Sequence, residues 1–142
     1  MNIGFAYAVG AAITWGVVYT IDQKILVATS PLTLLFINSF ITALIILPVL
    51  FIDRISIAAL LASGKRNLVL VLVSITLAAV ANYFIFAAIK HVGAAPASII
   101  EIAYPFFVTL FTFIAFQTLP SIYTLAGGLL IFIGAAMITY FH

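Results

Sequence analysis

Five apolar runs, at roughly 3–21, 31–52, 68–89, 94–116 and 121–141, take up most of the 142-residue chain. Each is close to the ~20 residues that an α-helix needs to cross the hydrocarbon of a bilayer. None alternates apolar and polar residues with period two, as the strands of a lipid-facing β-barrel do. The runs therefore predict an all-α membrane protein of five transmembrane helices in a single domain, residues 1–142, with the lipid bilayer as its first partner. Composition agrees: 67% of the residues are hydrophobic, 6% are charged and the mean hydropathy is +1.42, too little polar surface to coat a water-soluble domain. A net charge of +2 gives no footing for nucleic acid, and the absence of cysteine rules out disulfides and thiolate metal sites. No phosphate-cradling glycine loop or nucleophile elbow is present, so neither an enzyme nor a cofactor is expected.

Five crossings put the two ends on opposite sides. The turns "IDQKILVATSP" (21–31) and "IKHVGAAP" (89–96) share one side. Pro31 and Pro96 stand where a following helix can begin without their missing N–H. "DRISIAALLASGKRN" (53–67) and "QTLPS" (117–121) share the other side, and "ISIAALLA" reads as a short interfacial helix. The first run lacks the basic start of a signal peptide and is expected to remain in the protein. Arg54, Lys65 and Arg66 on the N-terminal side slightly outweigh Lys24 and Lys90 opposite. Positive charge favours the cytoplasm, so the N-terminus is expected there, in the cell membrane, on a small imbalance that also permits both orientations.

The polar residues inside the runs carry the functional information. At about 1.5 Å of rise per residue, Trp15, Asn38, Asn82 and Glu101 all lie roughly 8–12 Å from the side that holds Lys24 and Lys90. Tyr19 shares a helix face with Trp15, and Tyr104 and Pro105 share one with Glu101. A site built from Glu101, Trp15, Tyr19, Asn38, Asn82, Tyr83 and Tyr104 would hold aromatic walls and a few hydrogen-bonding groups around one carboxylate. That lining suits a small amphipathic or cationic solute. In "EIAYPFF" (101–107), Pro105 is expected to kink its helix by blocking the bond to the carbonyl of Glu101. An ionised carboxylate at mid-membrane is penalised by roughly 2.5–3.5 kcal/mol on insertion scales. Glu101 is accordingly expected to exchange a proton for substrate.

Each residue also has a plainer role open to it. Glu101 lies about one turn inside its helix, where an acid also complements the positive helix N-terminus. Asn38 and Asn82 serve equally as interhelical hydrogen-bonding groups, and Trp15 and Tyr19 as members of an interfacial aromatic belt. His91 and His142 lack a third ligand, so no metal site is expected. Gly127, Ile131, Gly134 and Ile138 form one stripe on the last run, a pattern that favours close helix packing through Gly127 and Gly134.

"ITWGVVYTIDQKIL", "SPLTLLFINSFITALIILP", "ASIIEIAYPFFVTLF" and "LAGGLLIFIGAAMITY", in that order, resemble one EamA-type repeat of the drug/metabolite transporter superfamily over nearly the whole chain. The resemblance rests on Trp15-Gly16, Pro31-Leu32-Thr33, Pro105 and the span from Gly127 to Gly134. Members often carry arginine where Asn38 stands and a Gly-Glu pair near Gln117, so roles tied to those charges do not transfer. The usual member has ten helices in two repeats of opposite topology, which makes this chain resemble one half of an inverted-repeat bundle. Alternating access in such folds rocks two halves about a midplane site. The resemblance thus implies a dimeric, proton-coupled exporter of a small metabolite or drug-like amphiphile. Its second half would come from an antiparallel copy, a parallel copy or a separate partner chain. The competing expectation is a non-transporting membrane subunit docked through the glycine-rich last helix, or half of a longer transporter.

Overall fold

The computed structural model describes residues 3–52 and 54–141, and every regular element among them is an α-helix: α1 (Ile3–Leu26), α2 (Pro31–Ile52), α3 (Arg54–Ala62), α4 (Lys65–Val92), α5 (Ala94–Glu101), α6 (Tyr104–Phe116) and α7 (Ile122–Phe141). The fold is an all-α membrane protein. By length and apolar composition α1, α2, α4 and the stretch Ala94–Phe116 are each able to cross a bilayer, and α7 adds a further apolar helix of 20 residues. The short helix anticipated in "ISIAALLA" is α3.

Three boundaries differ from the apolar runs, each for a physical reason. α1 continues past Ile21 to Leu26, so Asp22, Gln23 and Lys24 are helical and not part of a turn. Lys24 in the last turn suits the negative end of the helix dipole. α4 begins at Lys65 and ends at Val92, because Lys and Arg in a terminal turn can send their charges to the interface without breaking the helix. The fourth run is two helices. α5 ends at Glu101, Ile102 and Ala103 form a turn, and α6 starts at Tyr104 with Pro105 in its first turn. Proline here starts a second helix instead of bending a continuous one: it has no N–H to continue the ladder, and the first turn is where that loss matters least.

Helix ends are satisfied locally. Ser30 Oγ accepts from the Thr33 N–H at 3.1 Å to start α2, and Ser121 Oγ accepts from the Thr124 N–H at 3.1 Å to start α7. α5 is capped from a distance. The Gln23 side-chain oxygen accepts the Ala94 N–H at 2.6 Å, doing from α1 what an N-cap residue would do locally. Gly93, directly before Ala94, has φ +89°, a left-handed backbone conformation that favours glycine. Within the apolar spans hydroxyls turn back onto their own helices. Thr14, Thr20, Thr76 and Thr109 each donate to the carbonyl four residues earlier, at 2.8–2.9 Å.

The chain divides into two compact units, one of Met1–Lys24 with Ala88–His142, the other of Ile25–Ala87. In the first, α7 packs against both α5 and α6. Small side chains allow the approach: Ala97 and Ala103 on the α5–α6 side and Ala135 on α7 are buried, and Phe106 meets Phe132 with ring centroids 5.8 Å apart. In the second, α3 contacts α2. Here Phe36 and Phe40 stack along α2 at 6.1 Å while most of the helix is exposed.

Candidate functional site

The first unit brings together three of the residues singled out in the sequence. Tyr19 Oη donates to Glu101 Oε2 at 2.8 Å, across 82 residues of chain. The bond ties α1 to the last residue of α5, directly before the helix break. A hydrogen bond to an ionised carboxylate is shorter and stronger than a neutral one. Trp15 leans on the other side of Tyr19, with ring centroids 5.3 Å apart and planes tilted by 46°. Tyr19 is 8% exposed and Glu101 half-buried, whereas Trp15 remains 47% exposed. The aromatic pair therefore runs from a covered hydroxyl to an open indole.

Tyr104 follows the break at the start of α6, with its side chain largely exposed. Pro105, half-buried, fixes the start of α6 one residue further on. The break lets the chain place Glu101 and Tyr104 on separate helices, so their relative placement is set by the turn at Ile102–Ala103 and not by regular helical spacing.

Asn38, Asn82 and Tyr83 belong to the second unit. Asn38 is exposed on α2. Asn82 donates its side-chain N–H to the Ala78 carbonyl at 2.9 Å, so that donor is satisfied within α4 itself and is not spent on another helix. Tyr83 is half-buried and its ring lies 5.9 Å from that of Phe84.

Gly127 and Gly134 lie on α7, and a Cβ at either position would meet nothing within 4 Å. The close contacts of α7 inside the chain run instead through Ala135 and Phe132. A cavity of about 510 Å³ is lined by Ile100, Ala103, Phe107, Phe132, Ala135, Ala136 and Tyr140. Its walls include neighbours of Glu101 on both sides in sequence, but they are almost wholly apolar and do not include the carboxylate. The polar groups of the unit lie apart from this apolar lining, on the Tyr19 face.

Two residues near the acid escaped the sequence reading. Asp22 is 5% exposed and its Oδ2 has no hydrogen-bond partner among the described residues. Gln23 caps α5 from α1. Both fell in a segment that polarity marked as a turn. One signal was available: Trp15, Tyr19 and Asp22 are spaced by four and then three residues, the interval of a single helix face. No group of three or more His, Cys, Asp or Glu side chains placed to hold a metal ion occurs among the described residues.

The arrangement is that of a polar contact inside an apolar bundle: a phenol and a carboxylate bridging two helices beside a backbone interruption. Irregular backbone at membrane depth is tolerated where it is buried in protein or lines a water-filled cavity, as in transporters with broken helices. Comparison with curated proteins and with solved structures found no match to the chain. A family profile described as the EamA-like transporter family matches residues 2–140, almost the whole sequence. The chain is therefore a multi-pass membrane protein that belongs to the EamA-like transporter family.

Proposed function

We propose that the protein is a proton-coupled exporter of a small amphipathic solute, working by alternating access as an antiparallel dimer. The observation that carries this reading is the 2.8 Å bond from Tyr19 Oη to Glu101 Oε2 at the α5–α6 break. In one state Glu101 is held by the phenol. In the other, the bond opens and the carboxylate takes either a proton or a positively charged group of the solute, so the two compete for one site. Trp15, open beside Tyr19, offers an aromatic face to the apolar or cationic part of the solute. Tyr104 and Pro105 flank the break on α6, and Gly127 and Gly134 give a second chain room to approach α7.

A second copy is supported by what the single chain leaves uncovered. Asn38 is an exposed amide on α2, a helix whose apolar window has no buried residue. An amide without a partner in hydrocarbon is penalised by several kcal/mol, on the order of 4–8 on a water-to-cyclohexane scale. Cover from another chain, or water in a cavity between chains, removes that penalty. The small excess of three Lys and Arg over two between the loop sides fits a protein inserted in both directions.

Purified protein in proteoliposomes with a pH-sensitive dye in the lumen tests the reading. A panel of amphipathic amines and acids should include members whose addition moves protons through the wild type but not through Glu101→Gln. Cysteines at positions 24 and 65, labelled from each side of intact cells, should both react from both faces. Vesicles silent to the whole panel, with the protein held to a fixed partner through the open Gly127–Gly134 face of α7, would establish the non-transporting subunit instead.

A further inference from the structure

Asp22 is an unused acid within the same unit. It sits one turn beyond Tyr19 on the face of α1 that also carries Trp15. The Tyr19 hydroxyl on that face donates to Glu101, so α1 presents a phenol bound to one acid and, three residues on, a second acid that the bond does not use. Asp22 is 95% covered, and Oδ2 meets no donor among the described residues. Buried carboxylates are normally paired or hydrogen-bonded, since an orphan is expensive in a poorly polar interior. An inorganic cation requires several oxygen ligands at once, and no cluster of that kind occurs among the described residues.

We infer that Asp22 is a ligand-binding residue, and that the group it receives is a cation carrying N–H donors: a protonated amine or a guanidinium borne on an apolar body. A bare charge would satisfy the electrostatics but leave the orphan acceptor unfilled, so a quaternary ammonium is the disfavoured analogue. The aromatic pair Trp15–Tyr19, extending along the same face from Asp22 to an open indole, gives the apolar body its place. This inference rests on the transport reading above and narrows its solute. Because Oδ2 is closed off in the present conformation, the cation reaches it when the surfaces covering α1 part during the cycle.

The chain carries one tryptophan and two aspartates, Asp22 and Asp53, which makes both partners directly observable. Wild-type protein in nanodiscs is titrated with phenethylammonium and with its N,N,N-trimethyl analogue, following Trp15 fluorescence. A hydrogen bond to a charged group predicts a preference of about tenfold for the primary amine. Asp22→Leu should reduce that preference to within about twofold, on the same ground. In parallel, carboxyl-carbon-labelled aspartate in Asp53→Asn protein leaves one side-chain signal, that of Asp22, which should move on addition of the primary amine. This arm needs no substitution at Asp22 and stands even where Asp22→Leu fails to fold. Equal affinity for the two amines overturns the inference, as does an Asp22 signal already at the neutral-acid position and unmoved by the amine. If proton-linked flux persists under either of those results, the transport reading survives alone; if neither flux nor binding is found, both fail.

Discussion

α1 and α2 are close in length, 24 and 22 residues, yet they are organised in opposite ways. α1 covers a tyrosine and an aspartate and leaves Ile3, Phe5 and Ile13 in the open; α2 exposes Phe36, Phe40 and Ile45 together with its one amide, Asn38. In water that pattern on α1 would be inside out. In lipid it is reasonable, because hydrocarbon is as apolar as leucine and gives large aliphatic side chains no reason to leave it. What needs cover is polarity, and the chain covers Tyr19 and Asp22 on α1 while Asn38 on α2 is left exposed. The difference between the two helices is in which of them has its polar side chains covered.

The substitution with the largest expected effect removes the acid that α1 grips. Glu101→Gln should lower pH-gradient-driven flux by about tenfold or more, as expected for an ionisable group kept inside a membrane for function, with proteoliposome dye kinetics as the measurement. Tyr19→Phe should produce a smaller loss while leaving the carboxylate in place; unchanged flux in both would remove the contrast between α1 and α2.

Asp22→Leu sharpens the comparison by turning part of α1 into a second α2. Removing a buried acceptor that lacks a partner should stabilise the detergent-solubilised protein by about 1–3 kcal/mol, read as a higher thermal midpoint, while the preference for phenethylammonium over its N,N,N-trimethyl analogue falls to within about twofold. A lower midpoint would show that the carboxylate is already paired. Gln23→Ala removes the cap that α1 provides to α5 and should destabilise by about 1 kcal/mol. Faster hydrogen exchange confined to the Ala94 amide and the first turn of α5 would show it.

The smallest effects belong to α2. Phe36→Ala and Ile45→Ala should each change stability by less than about 0.5 kcal/mol, the usual range for surface positions. Asn38→Leu should likewise leave the folded chain intact but weaken chemical cross-linking between copies. Strong destabilisation by Phe36→Ala would mean that α2 is a core helix, and the contrast with α1 would be lost.

The spans at α2 and α7 could be read from sequence because a long apolar run leaves few alternatives, and the order of Trp15-Gly16, Pro31, Pro105 and Gly127 carried the family. The end of α1 could not be read. Asp22, Gln23 and Lys24 look like a turn to any rule based on polarity, and only contacts from outside the helix reward keeping them helical: the Gln23 cap on Ala94 and the cover over Asp22. The break at Ile102–Ala103 was half legible. Proline announced an irregularity, but whether the chain bends or starts again depends on what the preceding turn packs against.

Sequence alone determined the solvent, the helical class and the family, because those follow from how many polar groups a chain has and how they are spaced along it. Tertiary structure decided which of those groups meet. The pairing of Tyr19 with Glu101 spans 82 residues, and the isolation of Asp22 Oδ2 depends on every atom that shields it. Helical periodicity fixes the face a residue occupies, but only packing fixes what that face encounters.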